Sequence, residues 1–256
     1  YLSYYPQGLF SLEANYFLYK SHLQLNDLEQ SVHYLKKIVT DKENKYTIEG
    51  VASLAEISYS LKQYISSESY YNKLYKLSKT IDTKQKAILG LLESKFMLYK
   101  YHDIINTIDA FVEDDFFSGP EKLRLQYLSA ISFYKVNQLS NALSVFSWLI
   151  NNSDGDLKAE SYYYKSLILY NNGEYINSQE VIFKLINELP GYEEWINNAL
   201  LLLAKNYLAR EDMFQAQHVL MELKKKTKDV EILNQINLIL TNNFNNPVLD
   251  TVIDKK

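Results

Sequence analysis

Trp195-Ile-Asn-Asn-Ala-Leu-Leu-Leu-Leu-Ala-Lys-Asn-Tyr-Leu-Ala-Arg-Glu-Asp-Met-Phe-Gln-Ala-Gln-His-Val-Leu-Met-Glu-Leu223 decides the fold of this chain. It reads as two amphipathic helices joined by a tight polar turn at Arg210, Glu211 and Asp212. Leu200, Leu203, Ala204 and Tyr207 recur at helical spacing on the first helix, and Ala216, Val219, Leu220 and Leu223 on the second. Two small residues, Ala204 and Ala216, fall where the helices would cross. A larger side chain at either point would push the axes apart, because close-packed helices leave no spare volume there.

The same pattern is found five more times upstream. Its small position at the start of the second helix falls on Ser31, Ser67, Ile104, Ala142, Ser178 and Ala216, at successive intervals of 36, 37, 38, 36 and 38 residues. Six imperfect copies at nearly constant spacing define a repeat of helix pairs. The units are expected at about 12–41, 47–80, 83–114, 121–151, 158–190 and 197–226. The third fits worst, since Leu92 and Ile104 occupy both small positions. A break is expected at Glu113-Asp-Asp-Phe-Phe-Ser-Gly-Pro120, where Gly-Pro punctuates the chain, and Pro190 closes the fifth unit. A last helix over about 228–242 would cover the open end of the array, which otherwise meets water with an apolar face. Residues 247–256 read as a tail, and 1–246 as one array. Tyr1-Leu-Ser-Tyr-Tyr5 before Pro6 reads as the end of a preceding second helix. The chain is therefore expected to be the C-terminal part of a longer array.

The composition agrees with helices: Gly 7 and Pro 4 are few in 256 residues, and 47% of residues are apolar. A net charge of −4 argues against nucleic acid, whose phosphates need a concentrated basic face. Lys224-Lys225-Lys226 sits at a helix C-terminus, where cations complement the macrodipole. The apolar run from Ala199 to Ala204 is far too short to span a bilayer, so no direct membrane insertion is expected. There is no cysteine, hence neither a disulfide framework nor thiolate chemistry. The chain opens with Tyr1 rather than Met, so its own N-terminus is expected upstream and the missing signal peptide does not address location.

Leu200-x2-Leu203-Ala204-x2-Tyr207 followed by Ala216-x3-Leu220 resembles the tetratricopeptide (TPR) pattern, and the resemblance covers nearly the whole chain. It implies an all-α, right-handed TPR-type α-solenoid of about six helix pairs plus a C-terminal capping helix. Tyr5-Pro6-Gln7-Gly8-Leu9-Phe10 and Trp195 through Leu223 resemble the C-terminal repeats of long bacterial cell-envelope TPR proteins. That likeness implies a scaffold in the bacterial periplasm or on the periplasmic face of the outer membrane. The carboxylate clamp of some TPR proteins needs Lys, Asn and Arg in set groove positions. Here those positions hold Tyr16, Lys20, Ala52 and Glu56, which do not make one.

No catalytic constellation emerges from the sequence. His22, His33, His102 and His218 fall in different units or on different faces, without a second ligand at metal spacing. His22 takes the position usually held by Tyr, so a packed ring is expected. Neither Gly-x4-Gly-Lys nor Gly-x-Ser-x-Gly occurs, and Glu193-Glu194 sits near a helix start. No enzyme, cofactor or metal site is expected. The resemblance places the first helices on a concave groove, with Glu13, Tyr16, Lys20, Glu49, Glu56, Tyr59, Lys86, Glu93 and Phe96 among the residues it would show. There Tyr127, Tyr134, Tyr163 and Tyr170 would form an aromatic ladder, with Arg124, Lys135, Asn171 and Lys205 beside it. Tyrosine supplies rigid area with a polar tip. Such a floor with scattered cations suits an extended peptide carrying apolar and acidic residues, or a partner subunit. The alternative is glycan binding by an outer-membrane lipoprotein component, which the presence of only Trp148 and Trp195 disfavours.

Overall fold

The computed structural model describes residues 1–40, 42–109 and 116–244. The expected ends of the first and third units, the acidic part of the 113–120 break and the tail at 247–256 lie outside or partly outside them. Among the described residues there are thirteen helices and no strand: α1 Ser11–Gln24, α2 Leu28–Ile38, α3 Thr47–Ser60, α4 Tyr64–Leu77, α5 Ile81–Met97, α6 Tyr101–Asp109, α7 Gly119–Lys135, α8 Leu139–Asn152, α9 Gly155–Asn171, α10 Tyr175–Glu188, α11 Glu193–Ala209, α12 Met213–Lys226 and α13 Val230–Phe244. The chain divides into two compact units, Tyr1–Asn137 with α1 to α7 and Gln138–Lys256 with α8 to α13.

The repeat is written into the backbone. Asn26, Lys62, Tyr99, Asn137, Gly173 and Glu211 each carry a positive φ between 57° and 79°, one in the turn of every pair. After α1, α3, α5, α9 and α11 the turn closes the same way. The N–H of Asp27, Gln63, Lys100, Glu174 or Asp212 donates to the carbonyl five residues back, at 2.8–3.0 Å. That bond satisfies a helix-end carbonyl and fixes where the next helix begins. Asp27 and Asp212 then cap the second helices, accepting from the N–H of Gln30 and Gln215 at 3.2 Å. Only Gly173 among the six turn residues adopts the left-handed conformation without a Cβ penalty. Lys62→Gly and Glu211→Gly are each expected to stabilise the chain by about 0.5–1 kcal/mol, part of that penalty being offset by glycine's extra freedom in the unfolded state. Unchanged or lower urea midpoints for both variants would contradict this reading of the turns.

The small positions lie at the helix crossings. Ser31, Ser67, Ile104, Ala142, Ser178 and Ala216 are wholly buried, as are Ala55, Leu92, Ala130, Ser166 and Ala204 on the first helices. In the poorly matching third pair, Leu92 and Ile104 fill the site with apolar volume. The serines do more than leave room. Ser31 Oγ donates to the Tyr19 carbonyl at 3.3 Å, Ser67 to that of Ala55 at 3.0 Å and Ser178 to that of Ser166 at 2.8 Å. Ser94 and Asn206, on the next first helix, then donate to Ser67 and Ser178 at 3.0 Å. Each buried hydroxyl is thereby paired, which avoids the roughly 1–3 kcal/mol cost of leaving it unsatisfied.

Apolar side chains fill the space between successive helices. In the first unit Tyr19, Leu35, Ile38 and Leu54 pack together, and Ile88, Leu92, Ile104 and Leu128 form a further cluster. In the second, Tyr162, Ile182, Leu185 and Leu202 form one cluster, and Leu201, Leu220, Leu223, Ile232 and Ile236 another. The last joins α13 to α11 and α12, so α13 covers the apolar side of the final pair. Before α1, Tyr1 to Tyr5 form a turn in which the Tyr5 N–H donates to the Tyr1 carbonyl at 2.9 Å, and the Tyr1 ring folds back on Tyr5 and Phe10, its hydroxyl accepting from the Phe10 N–H at 3.0 Å.

Candidate functional site

The first helices of the first unit, α1, α3, α5 and α7, carry a row of charges that pair from one helix to the next. Lys20 on α1 pairs with Glu49 on α3, Glu56 on α3 with Lys86 on α5 at 2.6 Å, and Glu93 on α5 with Arg124 on α7 at 2.9 Å. Tyr16 and Tyr19 add their hydroxyls to Glu49, both at 3.1 Å. Burial works to raise the Glu49 pKa, but the bonds from Lys20, Tyr19 and Tyr16 outweigh it and hold the carboxyl below its ordinary value. The same hydrogen bond to Glu49 raises the Lys20 ammonium. Partly exposed pairs of this kind contribute about 0–1 kcal/mol each, so their main effect is on charge. Arg124 and Lys86 each face a carboxylate, which offsets their pull on an acidic ligand.

An open cleft of ≈ 660 Å³ interrupts this row, lined by Tyr71, Asp82, Gln85, Lys86, Gly90 and Glu121 among others. Its floor depends on a glycine. A Cβ at Gly90 would fall inside the Tyr71 ring, closest to Cζ. Tyr71 belongs to α4, and only the bare backbone of α5 lets its hydroxyl end reach the cleft wall. The side chain is 7% exposed, and its hydroxyl has no hydrogen-bond partner among the described residues. Burial, with smaller contributions from Glu56 and Glu93, pushes the phenol up to about 12 and keeps it neutral. Gln85 Nε2 donates to the Phe116 carbonyl, which ties α5 to the segment before α7.

The eight residues expected to line the groove fall in both units. On α7, the Arg124 guanidinium lies 5.5 Å from the centroid of the Tyr127 ring, and Lys135 Nζ lies 5.9 Å from that of Tyr134. Tyr127 is half-buried against the Ile88–Leu128 cluster. In the second unit Tyr163 packs beside Tyr164 and Trp195, at 5.6 and 5.8 Å, and Tyr170 lies 5.5 Å from Tyr175. Both are half-buried on the second-unit core, and burial pushes the Tyr170 phenol up. Asn171 is exposed at the end of α9. Lys205 is half-buried on α11, without a hydrogen bond or ion pair among the described residues, and burial lowers its ammonium pKa. Sequence reasoning gives no functional role to Tyr71, Gly90, Asp82 or Glu121. The available signal was a glycine inside the α5 pattern, a position that often marks close approach.

His22 and His33 both pack against the Tyr34 ring. His22 stacks on Tyr34 with centroids 5.4 Å apart, and its Nδ1 lies 3.1 Å from Asp27 Oδ2. Among the described residues no group of three His, Asp or Glu side chains could hold a metal ion. No described helix is long and apolar enough to cross a membrane.

Solved structures share this arrangement over most of the chain. The C-terminal part of a TPR repeat-containing protein from Cytophaga hutchinsonii superposes with a TM-score of 0.67 at 16% identity, over 90% of this chain and 86% of that one. The fold is that of the tetratricopeptide repeat. The TPR protein YrrB, which has an unusual peptide-binding site, matches at a TM-score of 0.58 and 16% identity, over 80% of this chain and 97% of its own. PilW, a type IV pilus biogenesis factor, matches at 0.57 and 13% identity, over 90% and 98%. No protein-family model and no curated protein matches the sequence. At these identities the shared property is the all-α TPR-type solenoid of helix pairs, whose residue positions can be read across units.

Proposed function

We propose that the chain is a non-catalytic interaction scaffold that holds an extended peptide segment along the first-helix face of its TPR pairs. The observation that carries this reading is the cleft of ≈ 660 Å³ on that face, open to solvent and floored by Gly90, in a row of otherwise paired charges. A mid-helix glycine costs about 1 kcal/mol relative to alanine, and here it gives Tyr71 access to the cleft wall. The peptide-binding site of YrrB, on a similar fold, supports the same class of ligand.

The test is an array of random-sequence peptides probed in parallel with a glycan array. The chain is expected to bind a subset of peptides and no glycan. Glu56→Ala with Glu93→Ala, which unbalances the row on α3 and α5, is expected to change which peptides bind while the far-UV spectrum and melting temperature stay nearly unchanged. Retention of glycans without peptides would overturn the reading. A peptide preference indifferent to the double variant would move the interface off this face.

A further inference from the structure

The cleft over Gly90 is not neutral. Glu93 and Lys86, which line it, are already paired with Arg124 and Glu56. The two remaining lining carboxylates, Asp82 at the start of α5 and Glu121 in the first turn of α7, have no ion-pair or hydrogen-bond partner among the described residues. The pairs cancel, and Asp82 with Glu121 leaves the cleft net negative. The second feature is independent of those charges. Tyr71 is more than nine-tenths buried, its ring end lies over Gly90 on the cleft wall, and its oxygen lacks a partner. The Tyr71 oxygen meets solvent only at the cleft, so a ligand that displaces that water and pairs with the hydroxyl gains relative to one that displaces it and cannot.

These observations specify a ligand. An anion would meet two unpaired carboxylates. An apolar group would leave both carboxylates and the phenol without partners. A group with several N–H donors and a positive charge satisfies all three, because carboxylates accept only and a phenol oxygen can accept as well. Resting on the reading of the first-helix face given above, we propose that the cleft over Gly90 is a socket for one lysine or arginine side chain of an extended peptide, gripped by Asp82, Glu121 and the Tyr71 hydroxyl. The socket differs from the expectation from sequence, a peptide with apolar and acidic residues beside Arg124, Lys135 and Lys205; in the first unit Glu93 accepts from Arg124.

The test uses the intact chain and four labelled peptides of alternating Gly and Ser, with arginine, lysine, glutamine or glutamate at the centre. Binding is followed by fluorescence anisotropy in low salt. The arginine and lysine peptides are expected to bind about tenfold more tightly than the glutamine peptide, and the glutamate peptide more weakly still. Asp82→Asn with Glu121→Gln should erase the difference between arginine and glutamine at an unchanged melting temperature, as should raised salt, which screens exposed charges. Tyr71→Phe, which keeps the ring and removes the hydroxyl, should weaken the arginine and lysine peptides and leave the glutamate peptide nearly unchanged. Equal binding of arginine and glutamate peptides, or a basic preference that survives the double variant, would overturn the socket. So would displacement of the arginine peptide by spermidine at the concentration of the peptide itself, since the site would then take free polyamines. The broader reading fails separately: a random array bound without basic enrichment leaves the peptide scaffold standing and removes the socket, whereas an array with no bound peptide removes both.

Discussion

Cutting Leu220 back to alanine is expected to cost the second unit about 2–5 kcal/mol, the range for deleting a wholly buried leucine. Leu220 is 0% exposed on α12, in the cluster that joins α11, α12 and α13 through Leu201, Leu223, Ile232 and Ile236. Those residues come from three helices held by their own turns, so they cannot close on the void together. The opposite error should also destabilise. Ala204, wholly buried on α11, has no room for leucine, and Ala204→Leu is expected to cost about 1–3 kcal/mol by overpacking. Both tryptophans, Trp148 and Trp195, belong to the second unit, so tryptophan fluorescence in urea reads that unit selectively. Wild-type midpoints for both variants would show that the crossing is not where the repeat puts it.

The second large effect is alkaline. Tyr71 in the first unit and Tyr162 in the second are both pushed up to about 12 from the ordinary 10.0. Burial is the leading cause for each; Tyr162 also donates to Glu188 at 2.9 Å, and a phenolate would face that carboxylate. Between pH 10 and 12 the unfolded chain has released these protons and the native chain still holds them. The unfolded state therefore binds fewer protons, and stability falls as pH rises. Below pH 10 both states are protonated and this contribution is fully present. A rise from 10 to about 12 corresponds to at most about 3 kcal/mol per phenol, and to less where solvent screens the group, as beside the exposed Glu188. Tyr162→Phe should flatten the loss seen by tryptophan fluorescence, and Tyr71→Phe the loss of helical signal from the first unit. Phenylalanine variants with the wild-type slope would contradict the assignment.

The fold was legible because its determinants are local and repeated. The spacing of Ser31, Ser67, Ile104, Ala142, Ser178 and Ala216 is also the spacing of the six left-handed turn residues, so one crossing position, small in five of the six pairs, and one turn recur together. The serines were read only as small. That their hydroxyls reach a carbonyl on the first helix depends on interhelical distance, which periodicity does not contain. The paired row shows the same limit. Lys20, Glu49, Glu56, Lys86, Glu93 and Arg124 were all placed in the groove, yet their mutual neutralisation appears only when neighbouring first helices stand side by side. The relation of Gly90 to Tyr71 is not legible in the sequence because it crosses from a second helix through a first. No single-helix pattern encodes that crossing.

The most direct test of the peptide-scaffold reading is where a bound peptide lies. A photo-activated benzoyl-phenylalanine can be placed at Leu89, which lines the cleft on α5, or at Lys76, exposed on α4. With a peptide selected on the array, illumination should give an adduct from position 89 and none from position 76. An adduct from position 76 alone would place the ligand against the second helices and contradict the account.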